Sequence, residues 1–270
     1  MAPNNPFIDA FHDACFEGNL PQTQALLASG RLISPTDLDE ALNLATGEAH
    51  PDIVTALFAA GARVTRDSAS FLTGKSGHQH PSIVRCYLDH GLDPNSVVSN
   101  GEPLLRESSF LKDPACAREL LSRGADPNRR GPRGVTPLAC ALEYVCEDTS
   151  LFELLVEHGA KLEADLLFEA VSSRGEGGGG AGCKTRFLLG KGLDPNTTSP
   201  EWGTPLHRAV SLAKEEVVRV LLEAGADPAA RVRCRQFADQ SPSEVAERRR
   251  LRNPELLASR RTILEMLLRS

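Results

Sequence analysis

The sequence predicts an all-α protein, a solenoid of about eight stacked helix-turn-helix units in one continuous array. Three observations predict it. A phrase ending in glycine, clearest as Leu120–Asn128 "LLSRGADPN" and Leu221–Ala229 "LLEAGADPA", recurs along the chain. Its glycines, at 30, 61, 91, 124, 159, 192 and 225, are spaced by 31, 30, 33, 35, 33 and 33 residues. A second phrase, clearest as Thr204–Val210 "TPLHRAV", lies roughly 20 residues before each glycine, in register with the first. Self-similarity at a fixed period of this length is the signature of a repeat array in which each unit buries its apolar stripe only against its neighbours.

Unit seven shows why each part folds as it does. Thr204 is a helix N-cap and Pro205 suits the first helical position. Leu206 and Ala209 then share a face. After a short turn, Val218, Leu221 and Leu222 fall at i, i+3 and i+4, an apolar stripe. Gly225 follows the second helix, where a left-handed cap is wanted. Ala226-Asp227-Pro228 then turns the chain into an extended loop, because the residue before proline resists helix.

The other units follow in order. Residues 1–6 form a tail. Unit one begins at "FIDAFHDACF" (7–16), an N-terminal cap, and closes on Gly30. Unit two carries "EALNLAT" and "LFAAGARV", unit three "SASFLTG" and "LDHGLDPN", unit four "EPLLRES" and "LLSRGADPN". Unit five carries "TPLACAL" and "LLVEHGAKL", unit six "DLLFEAV" and "LLGKGLDPN". Unit eight starts at "SPSEVAE" and ends at "TILEMLLRS" without a glycine turn, so its arginine-rich stretch (233–270) is a capping unit.

This pattern resembles the ankyrin repeat, with its period of about 33 residues and its T-P-L-H-x-A phrase. The resemblance covers roughly residues 7 to 268. It implies an ankyrin-type solenoid: a curved stack of helix pairs with hairpin-like fingers along one edge. Finger length varies. Only five residues separate Gly159 from Asp165, against eleven between Gly192 and Thr204, so the finger before Asp165 is truncated. In such stacks partners meet the finger tips and the exposed end of the first helix. Those positions hold Asn100 and Phe110 in unit four. They hold Arg130, Arg133, Glu143 and Tyr144 in unit five, and Glu201, Trp202 and Ser211 in unit seven. Trp202 is the single tryptophan, and Trp, Tyr and Arg are enriched among interface hot spots. The resemblance also implies that the His207 imidazole hydrogen-bonds across the turns.

One segment invites a different reading. "RGEGGGGAGCKT" (174–185) places Lys and Thr after a glycine run, as a phosphate-binding P-loop does. The spacing fails by one, because Cys183 separates Gly182 from Lys184, and the segment follows a helix rather than a strand. Val171 to Gly192 is six residues longer than Val210 to Gly225. The glycines are therefore an insertion, a flexible inter-helix loop at 174–183, and an insertion there costs little loop entropy. "TGKSG" (73–77) is a weaker match of the same kind.

Charge and composition exclude several classes. The 270 residues carry a formal charge of −6. Residues 231–270 hold ten Arg against five acids, +5, leaving −11 on the preceding 230. An acidic body argues against nucleic-acid binding, although the arginine-rich C-terminus is the place for it. The seven cysteines are scattered with no C-x-x-C pair, which argues against zinc and redox pairs and for free thiols inside the cell, in cytoplasm or nucleus. The N-terminus lacks a signal-peptide pattern, and no run is long enough to span a membrane. His78 and His80 form H-x-H without further ligands beside them, and His90 and His158 precede capping glycines. The sequence thus predicts no catalytic residue, metal, cofactor or small-molecule substrate. It predicts a protein-binding scaffold or adaptor whose partner is another protein of unknown identity. The rival readings are a nucleotide-binding protein or enzyme using 177–185, and nucleic-acid binding through the C-terminal arginines.

Overall fold

The computed structural model describes residues 5–65, 67–72, 80–108, 114–173, 180–248 and 254–269. Phe110, His78, the 73–77 segment and glycines 175 and 177–179 lie outside them. The described residues form sixteen helices, in eight consecutive pairs, and two isolated antiparallel bridges. The first four pairs are α1 (Pro6–Phe16) with α2 (Leu20–Leu27), α3 (Pro35–Gly47) with α4 (Pro51–Ala59), α5 (Ser68–Phe71) with α6 (Pro81–Asp89), and α7 (Leu104–Ser108) with α8 (Ala115–Ser122). Next come α9 (Pro137–Ala141) with α10 (Ser150–Glu157) and α11 (Asp165–Ser172) with α12 (Gly180–Gly190). The last two pairs are α13 (Pro205–Ser211) with α14 (Glu215–Glu223) and α15 (Pro242–Arg248) with α16 (Pro254–Arg269).

Several helices are capped as their residues dictate. The Thr204 hydroxyl accepts from the His207 N–H while the His207 ring reaches back to the Thr204 N–H, a reciprocal capping box. Ser34 and Asp37 do the same for α3. All seven spaced glycines have φ between +70° and +99°, the left-handed geometry that closes each second helix.

Asparagines tie successive units together. The Asn95 amide donates to the Gly124 carbonyl and accepts from the Asp126 N–H. Asn196 repeats both bonds with Gly225 and Asp227, and Asn128 donates to the Gly159 carbonyl. The aspartate two residues earlier folds each asparagine into place by accepting its N–H (2.8–2.9 Å). The Asp-Pro-Asn of the repeated phrase is therefore a fastener between neighbouring turns.

The chain divides into two compact units, Met1–Ala141 with Ser150–Ala160, and Leu142–Thr149 with Lys161–Ser270. In the first, Phe11, Leu42, Ile53, Leu57, Tyr87 and Phe152 are fully buried. The Tyr87 hydroxyl meets that of Thr46 at 2.8 Å, and burial pushes its pKa up. In the second, Val171, Leu206, Val218, Leu221 and Ile263 form a continuous core.

Two expectations are corrected. The second helix of unit six begins at Gly180, not after Cys183, so the inter-helix insertion is shorter than 174–183. Cys146 and Cys183 are not free thiols. They form a disulfide, with Cα atoms 6.0 Å apart, joining the turn after α9 to the first turn of α12. The other five cysteines are free.

Candidate partner-binding site

In the second unit the finger before α13 is a tight turn. Ser199 and Gly203 exchange backbone hydrogen bonds of 2.7 and 2.9 Å, which sets Glu201 and Trp202 at the tip. Gly203 sits at φ +70°, the conformation that lets the chain double back. The next finger pairs with it: the Arg235 N–H donates to the Pro200 carbonyl and the Gln236 N–H to that of Glu201. The His207 Nε2 meets the Gln240 carbonyl at 2.8 Å, and the Phe237 ring stacks on the imidazole. Burial lowers the His207 pKa, partly offset by the Gln240 bond.

The two fingers and the ends of α13 and α15 frame an open cavity of about 380 Å³. Trp202 and Phe237 supply aromatic surface, Leu212 and Val245 aliphatic surface, and Arg208 and Arg248 positive charge. The Arg208 guanidinium lies 3.6 Å over the centre of the Trp202 ring, a cation–π contact, and its Nε donates to the Ser172 hydroxyl. Arg208 and Leu212 also line a neighbouring cavity of about 690 Å³. Its wall includes Lys214, whose ammonium donates to the Val171 and Ser173 carbonyls at the end of α11. Burial lowers the Lys214 pKa, and the nearby Arg208 and Lys184 charges lower it further.

A family model described as the ankyrin repeat matches residues 203–233. Over 97% of this chain and 98% of the other, the structure superposes on the ankyrin repeat domain of Bcl-3, a member of the IkappaB family, with TM-score 0.54 and 23% identity. The chain has the ankyrin-repeat fold.

Curated relatives that match this chain include E3 ubiquitin-protein ligase KEG of Arabidopsis thaliana, 28% identical over 80% of the chain and 14% of that protein. The 2-5A-dependent ribonuclease of Mus musculus is 33% identical over 38% of the chain and 11% of that protein. The mouse B-cell lymphoma 3 protein homolog is 26% identical over 63% of the chain and 38% of that protein. The chain thus spans well under half the length of each of these relatives.

The ankyrin-repeat fold disposes the sequence-predicted residues differently. Trp202 and Ser211 both line the smaller cavity, Ser211 from a site only 8% exposed, its hydroxyl donating to the Arg208 carbonyl. Glu201 is exposed beside them at the finger tip. Glu143 instead takes the buried ammonium of Lys184 at 2.5 Å, and Tyr144 is half-buried in the turn that follows. In the first unit Asn100 is exposed and caps its own turn through the Glu102 N–H. Arg130 donates to the Gly134 carbonyl within its finger. The Arg133 N–H donates to Glu102 at 3.1 Å, with its Nε 3.6 Å from the same carboxylate.

Sequence reasoning missed Arg208, Phe237 and Arg248 as cavity-lining residues. A usable signal existed for Arg208, because it follows the T-P-L-H phrase one residue on, where the first helix turns toward the finger.

The glycine-rich segment makes no phosphate cradle from its described residues. Gly180 and Gly182 are helical, and a Cβ at Gly182 would lie 2.6 Å from the Glu216 carboxyl group, which would have to shift. Lys184 is bound to Glu143, and the Thr185 hydroxyl donates to the Ala181 carbonyl. Among the described residues no cluster of His, Cys, Asp and Glu could hold a metal ion, and no helix is long and apolar enough to cross a membrane.

Proposed function

We propose that this chain is a non-catalytic scaffold or adaptor that binds another protein through the finger tips and first-helix ends around Trp202. Ankyrin-repeat domains mediate protein–protein interaction, and this chain has their fold over nearly its whole length. The observation that carries the reading is the cavity framed by Trp202, Arg208 and Phe237. Its lining mixes aromatic and aliphatic side chains with arginine, serine and glutamine. A preformed surface of this kind loses little ordering entropy on binding. The reading places the chain inside the cell, in cytoplasm or nucleus, a compartment that suits its five free thiols and would hold the Cys146–Cys183 pair reduced.

The rival nucleotide-binding reading places Lys184 on a phosphate, but that ammonium is buried on Glu143. The nucleic-acid reading rests on C-terminal arginines of which Arg231 pairs with Glu244 and Arg261 with Glu265. The test is affinity capture from cell lysate with the wild-type chain beside Trp202→Ala, both checked for equal helicity. The reading requires a protein, identified by mass spectrometry, that the wild type retains and the variant loses. Equal capture by both places the binding face elsewhere.

A further inference from the structure

We infer that the cavity at Trp202 is built for an acidic, extended segment of a partner protein, with a carboxylate between Arg208 and Arg248 and an apolar side chain on the aromatic floor. This rests on the protein-binding reading above and narrows it to one partner chemistry.

Three observations point the same way. The lining holds two arginines and no carboxylate. Arg208 already lies over the indole, 3.6 Å from its centre, and is held through Nε to Ser172. A guanidinium held in place binds a carboxylate with less loss of side-chain freedom than a swinging one, and its planar fork suits two carboxylate oxygens. Charge adds to this. Lys214, in the wall of the adjoining cavity, feels the Arg208 charge, with Glu215 and Glu216 in the same wall. Residues 231–270, which supply Arg248 and the second finger, carry +5 on a chain whose remainder carries −11. An acidic partner is drawn to this end and repelled by the rest, which gives register as well as attraction.

Among the described residues no carboxylate lines the cavity itself. Glu244 is held by Arg231 at 2.5 Å, which keeps its carboxyl below the usual range, and Glu201 stands exposed outside the lining. The aromatic floor sets the second requirement. Trp202 and Phe237, with Leu212 and Val245, offer apolar surface too small for a helix face but suited to one or two side chains of an extended peptide.

The test is selection of a randomised twelve-residue peptide library on the full chain. Fluorescence anisotropy of the strongest binder follows, beside a copy with every Glu and Asp replaced by Gln or Asn. Acidic residues should be enriched next to an aromatic or aliphatic one. The neutral copy should bind at least about tenfold more weakly, as should Arg248→Gln and Arg208→Gln with the acidic peptide, because each loses a charge-assisted bond. Arg248 is exposed, so its variant tests the site even if Arg208→Gln disturbs folding. Enriched peptides without acidic residues, or a neutral copy that binds equally, overturn the acidic assignment and leave protein binding standing. No enrichment at all overturns both. Self-association of the chain in sedimentation that Arg248→Gln abolishes overturns it in favour of a second copy as occupant.

Discussion

Closing the Cys146–Cys183 bridge should stabilise the second unit measurably. The bond ties two residues 37 apart, so the unfolded chain loses the freedom of a loop of that length. The chain-entropy relation for a loop of this size gives about 4 kcal/mol at 25 °C. Both sulfurs sit at the rim of the core, Cys146 exposed and Cys183 half-buried, so breaking the bond removes little packing. The measurement is urea unfolding of oxidised protein, of protein held in reductant, and of Cys146→Ser, followed by circular dichroism. Peptide mapping without reductant identifies the linked pair. Reduction and the serine variant should each lower the midpoint by similar amounts, and reductant should leave the serine variant unmoved. Coincident curves for all three would refute the loop-closure argument, and so would a mapped bridge between other cysteines.

Other perturbations test the joints of the array. Asn196→Ala removes the bonds to Gly225 and Asp227 and should cost about 1–3 kcal/mol in urea melts, since two backbone groups lose their partners. Ala49 is held at φ +60°, so Ala49→Gly should raise the thermal midpoint, consistent with about 1 kcal/mol of relieved left-handed strain. The pKa of His207 is depressed by burial, so the unfolded chain takes up the proton first as pH falls below 6.5. Stability from this group is therefore complete above that pH and declines below it. The urea midpoint should fall on acidification, and the part of that fall due to this site should vanish in His207→Asn.

Much of the fold was legible because the array repeats the same physics. Glycine at a fixed period, proline after a capping residue and an i, i+3, i+4 stripe each act locally, and each leaves its mark within a few residues. The eight pairs follow from them. The disulfide left no such mark. Cys146 and Cys183 stand 37 residues apart and meet only once the turn of unit five reaches the second helix of unit six. The helical start at Gly180 was hidden as well, since glycine resists helix by itself and the tight approach of Gly182 to Glu216 is a tertiary fact. At the candidate site, Trp202 could be read from its finger position, whereas Arg208 and Phe237 join it only through the pairing of two fingers. Glu143 sits at the same register as Ser211 and was read the same way, but a buried lysine one unit on claims its carboxylate.

The register of Arg208 recurs in unit four as Arg106, and the two arginines meet opposite fates. Arg208 follows a threonine cap, which satisfies itself with His207 and leaves the guanidinium to the cavity wall. Arg106 follows Glu102, and it is drawn inside, 4% exposed, with Nε 3.6 Å from Glu102 and Nη1 2.5 Å from Glu107. Room for that carboxylate exists because the next finger has glycine at 131, where a Cβ would lie 2.0 Å from Glu102 Oε2. Restoring the common cap by Glu102→Thr would ordinarily be expected to help. Here it strips a buried arginine of one partner, and a broken buried ion pair costs about 3–5 kcal/mol. Because Glu107 remains, the loss should fall at the lower end. Glu102→Thr with Arg106→Leu removes the stranded buried charge and should recover most of it, since the cost of breaking a buried pair lies in the uncompensated charge left behind. Urea melts of the two variants decide the matter. If Glu102→Thr alone proves neutral or stabilising, the cap residue does not govern where the arginine goes, and the display of Arg208 at its cavity needs another cause.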